Sequence, residues 1–150
     1  MIQAVCPRPE DTEALGARLA ASLRPGDVVV LAGGLGAGKT LLTKGIATGL
    51  GVEETVVSPS FVLVREYRTG FIPVIHADVY RLGTLNEFED LDVFDMALDG
   101  VLIIEWGGAV DSLLPRDHLR IEFEVGEDET RTLRFIGEGS WANREIGGVA

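Results

Sequence analysis

Residues Gly33 to Thr40 read Gly-Gly-Leu-Gly-Ala-Gly-Lys-Thr and follow directly on the apolar run Val28-Val29-Val30-Leu31-Ala32. This is the phosphate-loop pattern G-x-x-x-x-G-K-[ST] in the strand-to-helix setting that gives the pattern its meaning. Glycines let the backbone curl so that successive N–H groups point inward, and the helix that follows adds the positive end of its dipole at the same place. The pattern predicts that Gly33, Gly34, Leu35, Gly36, Ala37, Gly38, Lys39 and Thr40 cradle the triphosphate of a nucleotide. Lys39 would reach the outer phosphates as a mobile point charge, and the Thr40 hydroxyl would take one place in the octahedral oxygen shell of Mg2+. The glycine spacing does not fit the G-x-G-x-x-G of dinucleotide folds.

A chain of 150 residues, 46% hydrophobic, can build one domain with a substantial core and leaves no room for two of ordinary size, so residues 1–150 are expected to form a single domain. No apolar run approaches a membrane span, and the N-terminus has neither the basic start nor the long apolar segment of an export signal, which predicts a cytoplasmic chain without membrane association. The lone Cys6 has no partner for an internal disulfide or a metal knuckle. The formal charge of −11 sets 24 acidic against 13 basic residues, and Lys39 and Lys44 are the only lysines. Such a field argues against direct nucleic-acid binding and favours basic partners. It also opposes ATP, so the loop must compensate locally through Lys39, backbone N–H groups and a divalent cation.

Along the chain, Ile2 to Cys6 reads as a short strand, and Asp11 as the cap of a helix whose Leu15, Leu19 and Leu23 form one stripe. Pro25-Gly26-Asp27 turns the chain into the buried strand Val28 to Ala32, and the next helix runs from about Lys39 to Leu50 before Gly51 ends it. Ser58-Pro59-Ser60 is a polar break before a strand from Phe61 to Tyr67; across Gly70 this strand pairs antiparallel with Phe71 to His76. Thr84 to Glu87 has capping-box spacing, and Leu85, Phe88, Leu91, Phe94 and Leu98 then predict an apolar helical stripe. The acids of that helix, Glu87, Glu89, Asp90, Asp92 and Asp95, predict a solvated face open to a cationic partner. Val101 to Ile104 reads as a central strand that presents Glu105 at its carboxyl edge, where open α/β sheets bind ligands. Leu119, Ile121, Phe123 and Val125, then Leu133 and Phe135 across Gly126 to Glu129, predict a hairpin that closes the sheet. The tail 137–150 carries four glycines and is expected to fray, with Trp141 able to dock back.

Phosphoryl transfer needs an acid for the metal shell and a group that orients the nucleophile. Glu105 and Asp78 both follow strand-like runs and qualify for either task. We assign Glu105 to the metal, directly or through water, because its strand is the more continuously apolar. Asp78 then positions the attacking water or the metal hydration shell, and with Lys39 these acids form the catalytic set, although residue order does not separate their roles. His76 lies on the same strand face as Asp78, where it could tune that acid or serve as a structural histidine. Arg81 offers a second cation for the phosphates or a salt bridge to the acidic helix. Ser58-Pro59-Ser60 is either a phosphate-responsive loop or a plain turn.

Four segments occur in the order and spacing of the bacterial TsaE-type ATPases: Leu35 to Thr40, Ser58-Pro59-Ser60-Phe61, His76-Ala77-Asp78-Val79-Tyr80-Arg81-Leu82 and Ile104-Glu105-Trp106. The resemblance covers roughly residues 5 to 136, and its H-x-D-x-Y-R-L and E-W elements are more specific than the loop alone. It implies an α/β P-loop NTPase-like domain with a mixed sheet, parallel at its centre and antiparallel at its edges. It implies ATP and Mg2+ on the loop, with Thr40 and Glu105 serving the metal, Asp78 close to the phosphates, and the segment Pro9 to Thr12 near the nucleotide. It also implies weak hydrolysis alone and action with the TsaB and TsaD proteins, where nucleotide turnover supports the cycle by which TsaD transfers threonylcarbamoyl to adenosine in tRNA, the tRNA itself being held by another subunit. Ser60 stands where the family usually has threonine, and Gly107-Gly108 stand where relatives often carry proline or an acid.

Two other classes share these features. A small-molecule kinase would use the same loop and acid, but the basic residues are scattered and no arginine-rich lid segment is present. A nucleotide-sensing interaction module would bind ATP without useful hydrolysis. The lack of N-K-x-D and D-x-x-G segments argues against a GTPase switch.

Overall fold

The two most apolar runs of the chain lie side by side as parallel strands at the centre of a sheet, in a computed structural model that describes residues 2–34, 36–57, 64–79, 92–105 and 114–146. In chain order the elements are β1 (Ile2–Cys6), α1 (Pro9–Ala20), β2 (Val28–Ala32), α2 (Lys39–Gly49), β3 (Val64–Tyr67), β4 (Val74–Asp78), α3 (Val93–Met96), β5 (Val101–Glu105), β6 (His118–Val125) and β7 (Arg131–Glu138), followed by a 3-10 turn at Gly139–Asn143. The strands form one seven-stranded sheet in the order β1-β7-β6-β2-β5-β4-β3. β2 is parallel to both β5 and β6, and β5 to β4; the outer pairs β3–β4, β6–β7 and β1–β7 are antiparallel. This is the mixed sheet, parallel in the middle and antiparallel outside, that the resemblance implies.

Alternation along the strands sorts the core into two layers. Val29 and Leu31, Val101 and Ile103, Leu119 and Ile121, and Leu133 and Phe135 pack with Leu15 and Leu19 of α1 and Leu42 and Ile46 of α2. The intervening residues Val28, Val30, Ile75, Ala77, Leu102 and Ile104 pack on the other face with Val93 and Ala97. On the first face α1 and α2 meet backbone to backbone. A Cβ placed on Gly45 would lie 1.9 Å from the carbonyl oxygen of Glu13, so no larger residue fits while the helices stay at this spacing.

Several local expectations need correction. Asp11 is the third residue of α1 and not its cap; Pro9 starts the helix, and the Asp11 carboxylate accepts the Arg8 N–H at 2.9 Å. The strand expected over Phe71 to His76 begins at Val74 and ends at Asp78. The apolar stripe does not run on through Leu98: Asp92 adopts φ 52, α3 stops at Met96, and Leu98 is 74% exposed in the turn beyond. The β6–β7 hairpin does not close the sheet, because β1 pairs along β7 and takes the edge. The expected strand residues 61–63 and the helix start from Thr84 lie outside the described residues.

Beyond Gly137 the chain is also more regular than its glycines suggest. β7 continues to Glu138, and Trp141 docks as expected, with 3% of its surface exposed. The Arg144 guanidinium lies 3.8 Å over the Trp141 ring and makes two 2.7 Å bonds to the Asp27 carboxylate in the turn before β2. Stacking and a bidentate pair thus fasten this segment to the strand that carries the phosphate loop.

Gly45→Ala is expected to cost roughly 2–3 kcal/mol by overpacking the helix crossing and to lower Tm by about 5–10 °C in calorimetry. An unchanged Tm would contradict the close contact of α1 with α2.

Candidate nucleotide site

β2 runs out at the carboxyl edge of the parallel strands, and the glycine loop turns there into α2. Gly36 has φ 77 and Gly38 φ 105, a region side-chain-bearing residues rarely adopt, and this is what folds the loop tightly enough to start the helix at Lys39. Lys39 is 6% exposed. Its ammonium donates to the carbonyl oxygens of Gly33 at 2.7 Å and Gly34 at 3.0 Å, so the loop curls around its own lysine. Across the curl the Ala37 N–H donates to Gly34 O at 3.3 Å, and the Thr43 hydroxyl ties the first turn of α2 to the Lys39 carbonyl at 3.0 Å. Buried Thr12 of α1 borders the loop, its methyl 3.7 Å from where a Gly38 Cβ would stand, so the first turn of α1 lies beside the phosphate curl. Leu35 lies outside the described residues.

The two predicted acids end neighbouring strands in register, Asp78 on β4 opposite Glu105 on β5, and each is only 4% exposed. The Thr40 hydroxyl donates to Glu105 Oε1 at 3.2 Å, which brings together the loop threonine and strand-end glutamate that the sequence assigned to a metal. Both are hard oxygen donors of the kind Mg2+ prefers. Among the described residues no set of three or more His, Cys, Asp or Glu side chains converges on a metal position.

His76 is fully buried on the same face as Asp78, as alternation requires. Its Nε2 lies 3.5 Å from Glu105 Oε1 on the next strand, a contact too long for a full hydrogen bond. Burial is the largest influence on the Glu105 carboxyl and pushes its pKa up. The His76 ring, the Thr40 hydroxyl and the Lys39 charge oppose it and together prevail, leaving Glu105 below the usual glutamate range.

One residue that local motifs did not single out also reaches the loop. Arg131 opens β7 and donates from Nη2 to the Gly36 carbonyl at 3.0 Å. The only signal available was topological: β7 is antiparallel to β6, which is parallel to β2, so the start of β7 lies at the edge where β2 ends. Ser58, Pro59, Ser60, Tyr80, Arg81, Leu82, Trp106, Gly107 and Gly108 lie outside the described residues.

A glycine curl joining a central parallel strand to a helix, with acids on the adjoining strand ends, makes this a P-loop NTPase-like α/β protein. The family model described as threonylcarbamoyl adenosine biosynthesis protein TsaE matches residues 6–133, and the chain belongs to the TsaE family. It is 46% identical over 144 residues to a protein of Streptomyces coelicolor, covering 91% of this chain and 97% of the relative. It is 40% identical over 132 residues to one of Bacillus subtilis, covering 88% and 83%. Both relatives are named tRNA threonylcarbamoyladenosine biosynthesis protein TsaE. A crystal structure of YdiB from Bacillus subtilis superposes with a TM-score of 0.77 at 36% identity, covering 92% of this chain and 86% of that one.

A carboxyl held below its usual range stabilises the fold above that range and loses the contribution as pH falls through its own pKa. Unfolding of wild type and Glu105→Gln across pH 3–7 should therefore show a stability difference that is full near neutrality and shrinks as pH falls below the usual glutamate range. A difference that stays constant with pH would show that Glu105 is not held ionised by its surroundings.

Proposed function

We propose that this chain binds ATP with Mg2+ at the Gly33–Thr40 loop and hydrolyses it, in the cytoplasm, to support threonylcarbamoyl transfer to adenosine in tRNA together with TsaB and TsaD proteins. The observation that carries this reading is the 3.2 Å contact of Thr40 with Glu105 beside the buried Lys39, in a chain of the TsaE family. Membership of that family supports the pathway, and the loop supports the nucleotide. Among the described residues no helix is long and apolar enough to cross a membrane.

In this reading Lys39 neutralises charge on the outer phosphates from a position already fixed by the Gly33 and Gly34 carbonyls. Thr40 and Glu105 would hold a magnesium ion, whose charge would offset that of the phosphate oxygens in an otherwise acidic chain. Asp78, one strand away in register, orients the attacking water and accepts its hydrogen bond. His76 lies 3.5 Å from the same Glu105 oxygen that Thr40 meets and helps to keep that carboxylate ionised. With a net charge of −11 the chain is unsuited to gripping tRNA itself, and the tRNA is held by another subunit of the complex.

Lys39→Ala and Glu105→Ala are expected to keep the circular dichroism spectrum and to lose on the order of a hundredfold or more of the ATPase measured with TsaB, TsaD and tRNA present. Asp78→Ala should retain ATP binding and lose turnover. Wild-type turnover in any of these variants would remove that residue from the mechanism. Hydrolysis absent from the full wild-type complex would favour an ATP sensor, and rapid phosphorylation of a metabolite without partners would favour a kinase.

A further inference from the structure

Arg131 and Gly36 are 95 residues apart in sequence, yet the guanidinium bridges them with both of its arms engaged. Nη2 donates to Gly36 O, while Nη1 donates to the backbone carbonyl of Glu129 and, at 3.1 Å, to its carboxylate. The turn that carries Glu129 is fastened from within. Gly126 N–H donates to Thr130 O at 2.8 Å, Glu129 N–H to Gly126 O at 3.1 Å, and the Asp128 carboxylate accepts from the Thr130 N–H at 3.2 Å and the Thr130 hydroxyl at 3.0 Å. A planar guanidinium held on one arm presents the other at a fixed angle.

The arm that reaches Gly36 acts on the peptide linking Gly36 to Ala37. A trans peptide points its C=O and its N–H in opposite directions. A donor fixed on Gly36 O therefore turns the Ala37 N–H inward, where it meets Gly34 O across the curl. Gly36 has no side chain of its own to hold this orientation, and at φ 77 it occupies a region open to glycine's full freedom. The Glu129 carboxylate is 79% exposed, so its pairing with Arg131 adds little to overall stability. The Arg131 side chain is only 19% exposed, so packing along its length limits the directions in which the guanidinium can point.

We infer that Arg131 is a positioning residue for the phosphate loop, braced by the β6–β7 turn, which fixes the Gly36–Ala37 peptide with its N–H on Gly34 O and so holds the curl in its phosphate-binding shape. The inference rests on the ATP reading given above, and it assigns to the hairpin turn a part in nucleotide affinity that lies outside the glycine motif.

The test compares the wild-type full chain with Arg131→Ala and Arg131→Lys. Amide resonances are recorded without nucleotide, and ATP affinity is measured by calorimetry at millimolar Mg2+. In Arg131→Ala the Gly36, Ala37 and Gly38 amides should shift and broaden while those of β6 and β7 stay in place, and ATP affinity should fall on the order of tenfold or more. Arg131→Lys keeps the charge but cannot span Gly36 and Glu129 together, so it should behave like the alanine variant. Lysine binding ATP as tightly as wild type would reduce the effect to charge and overturn the inference. So would unchanged loop resonances, or a general loss of the β6 and β7 signals. Absence of ATP binding by the wild-type chain would sink the ATP reading instead, and the nucleotide-free spectra would still decide whether Arg131 sets the loop.

Discussion

A lysine ammonium withdrawn almost wholly from water is tolerated only where oxygen atoms replace its hydration, and around Lys39 the loop's own carbonyls do so. The two demands support each other. The curl exists because Gly36 and Gly38 accept positive φ, and it closes on Lys39 because that cation gives two carbonyls a common donor. Glu105 adds its charge from the end of β5, and Thr40 links it to the first turn of α2. The surrounding architecture serves to hold this knot in place. β2 feeds it from the sheet centre, and α1 clamps α2 through a helix crossing that admits no side chain at Gly45.

What could be read from the residues was what depends on near neighbours in sequence. The run Val28 to Ala32, the glycines after it, the helix to Leu50 and the alternation of residues 119–125 each carry a local reason for their shape, and each appears as expected. Asp11 was misplaced because preferred cap residues say less than Pro9, whose fixed φ makes it the natural first helical residue. Leu98 continued a helical stripe on paper, yet the chain turns to enter β5 before it can be buried. That β1 would pair along β7 and push the hairpin inside the sheet has no local signature.

The candidate site divides in the same way. An apolar strand that ends in an acid announces an acid at the sheet edge, so Asp78 and Glu105 were both legible. Alternation told which face His76 occupies but could not tell which strand would lie beside it, and the ring meets Glu105 across to β5. Arg131 was invisible for a stronger reason: its nearness to Gly36 is created only when β6 and β7 have been laid against β2.

That strand order also bears on how the molecule comes into being. The segment carrying the glycines is made early, but both of its sheet neighbours, β5 and β6, are made later, and the edge strand at the very start waits for β7. During translation β2 leaves the ribosome before either strand that flanks it, a state that leaves apolar surface open to chaperones or self-association. The bond from Arg131 to Gly36 can form only once the β6–β7 hairpin has been laid against β2.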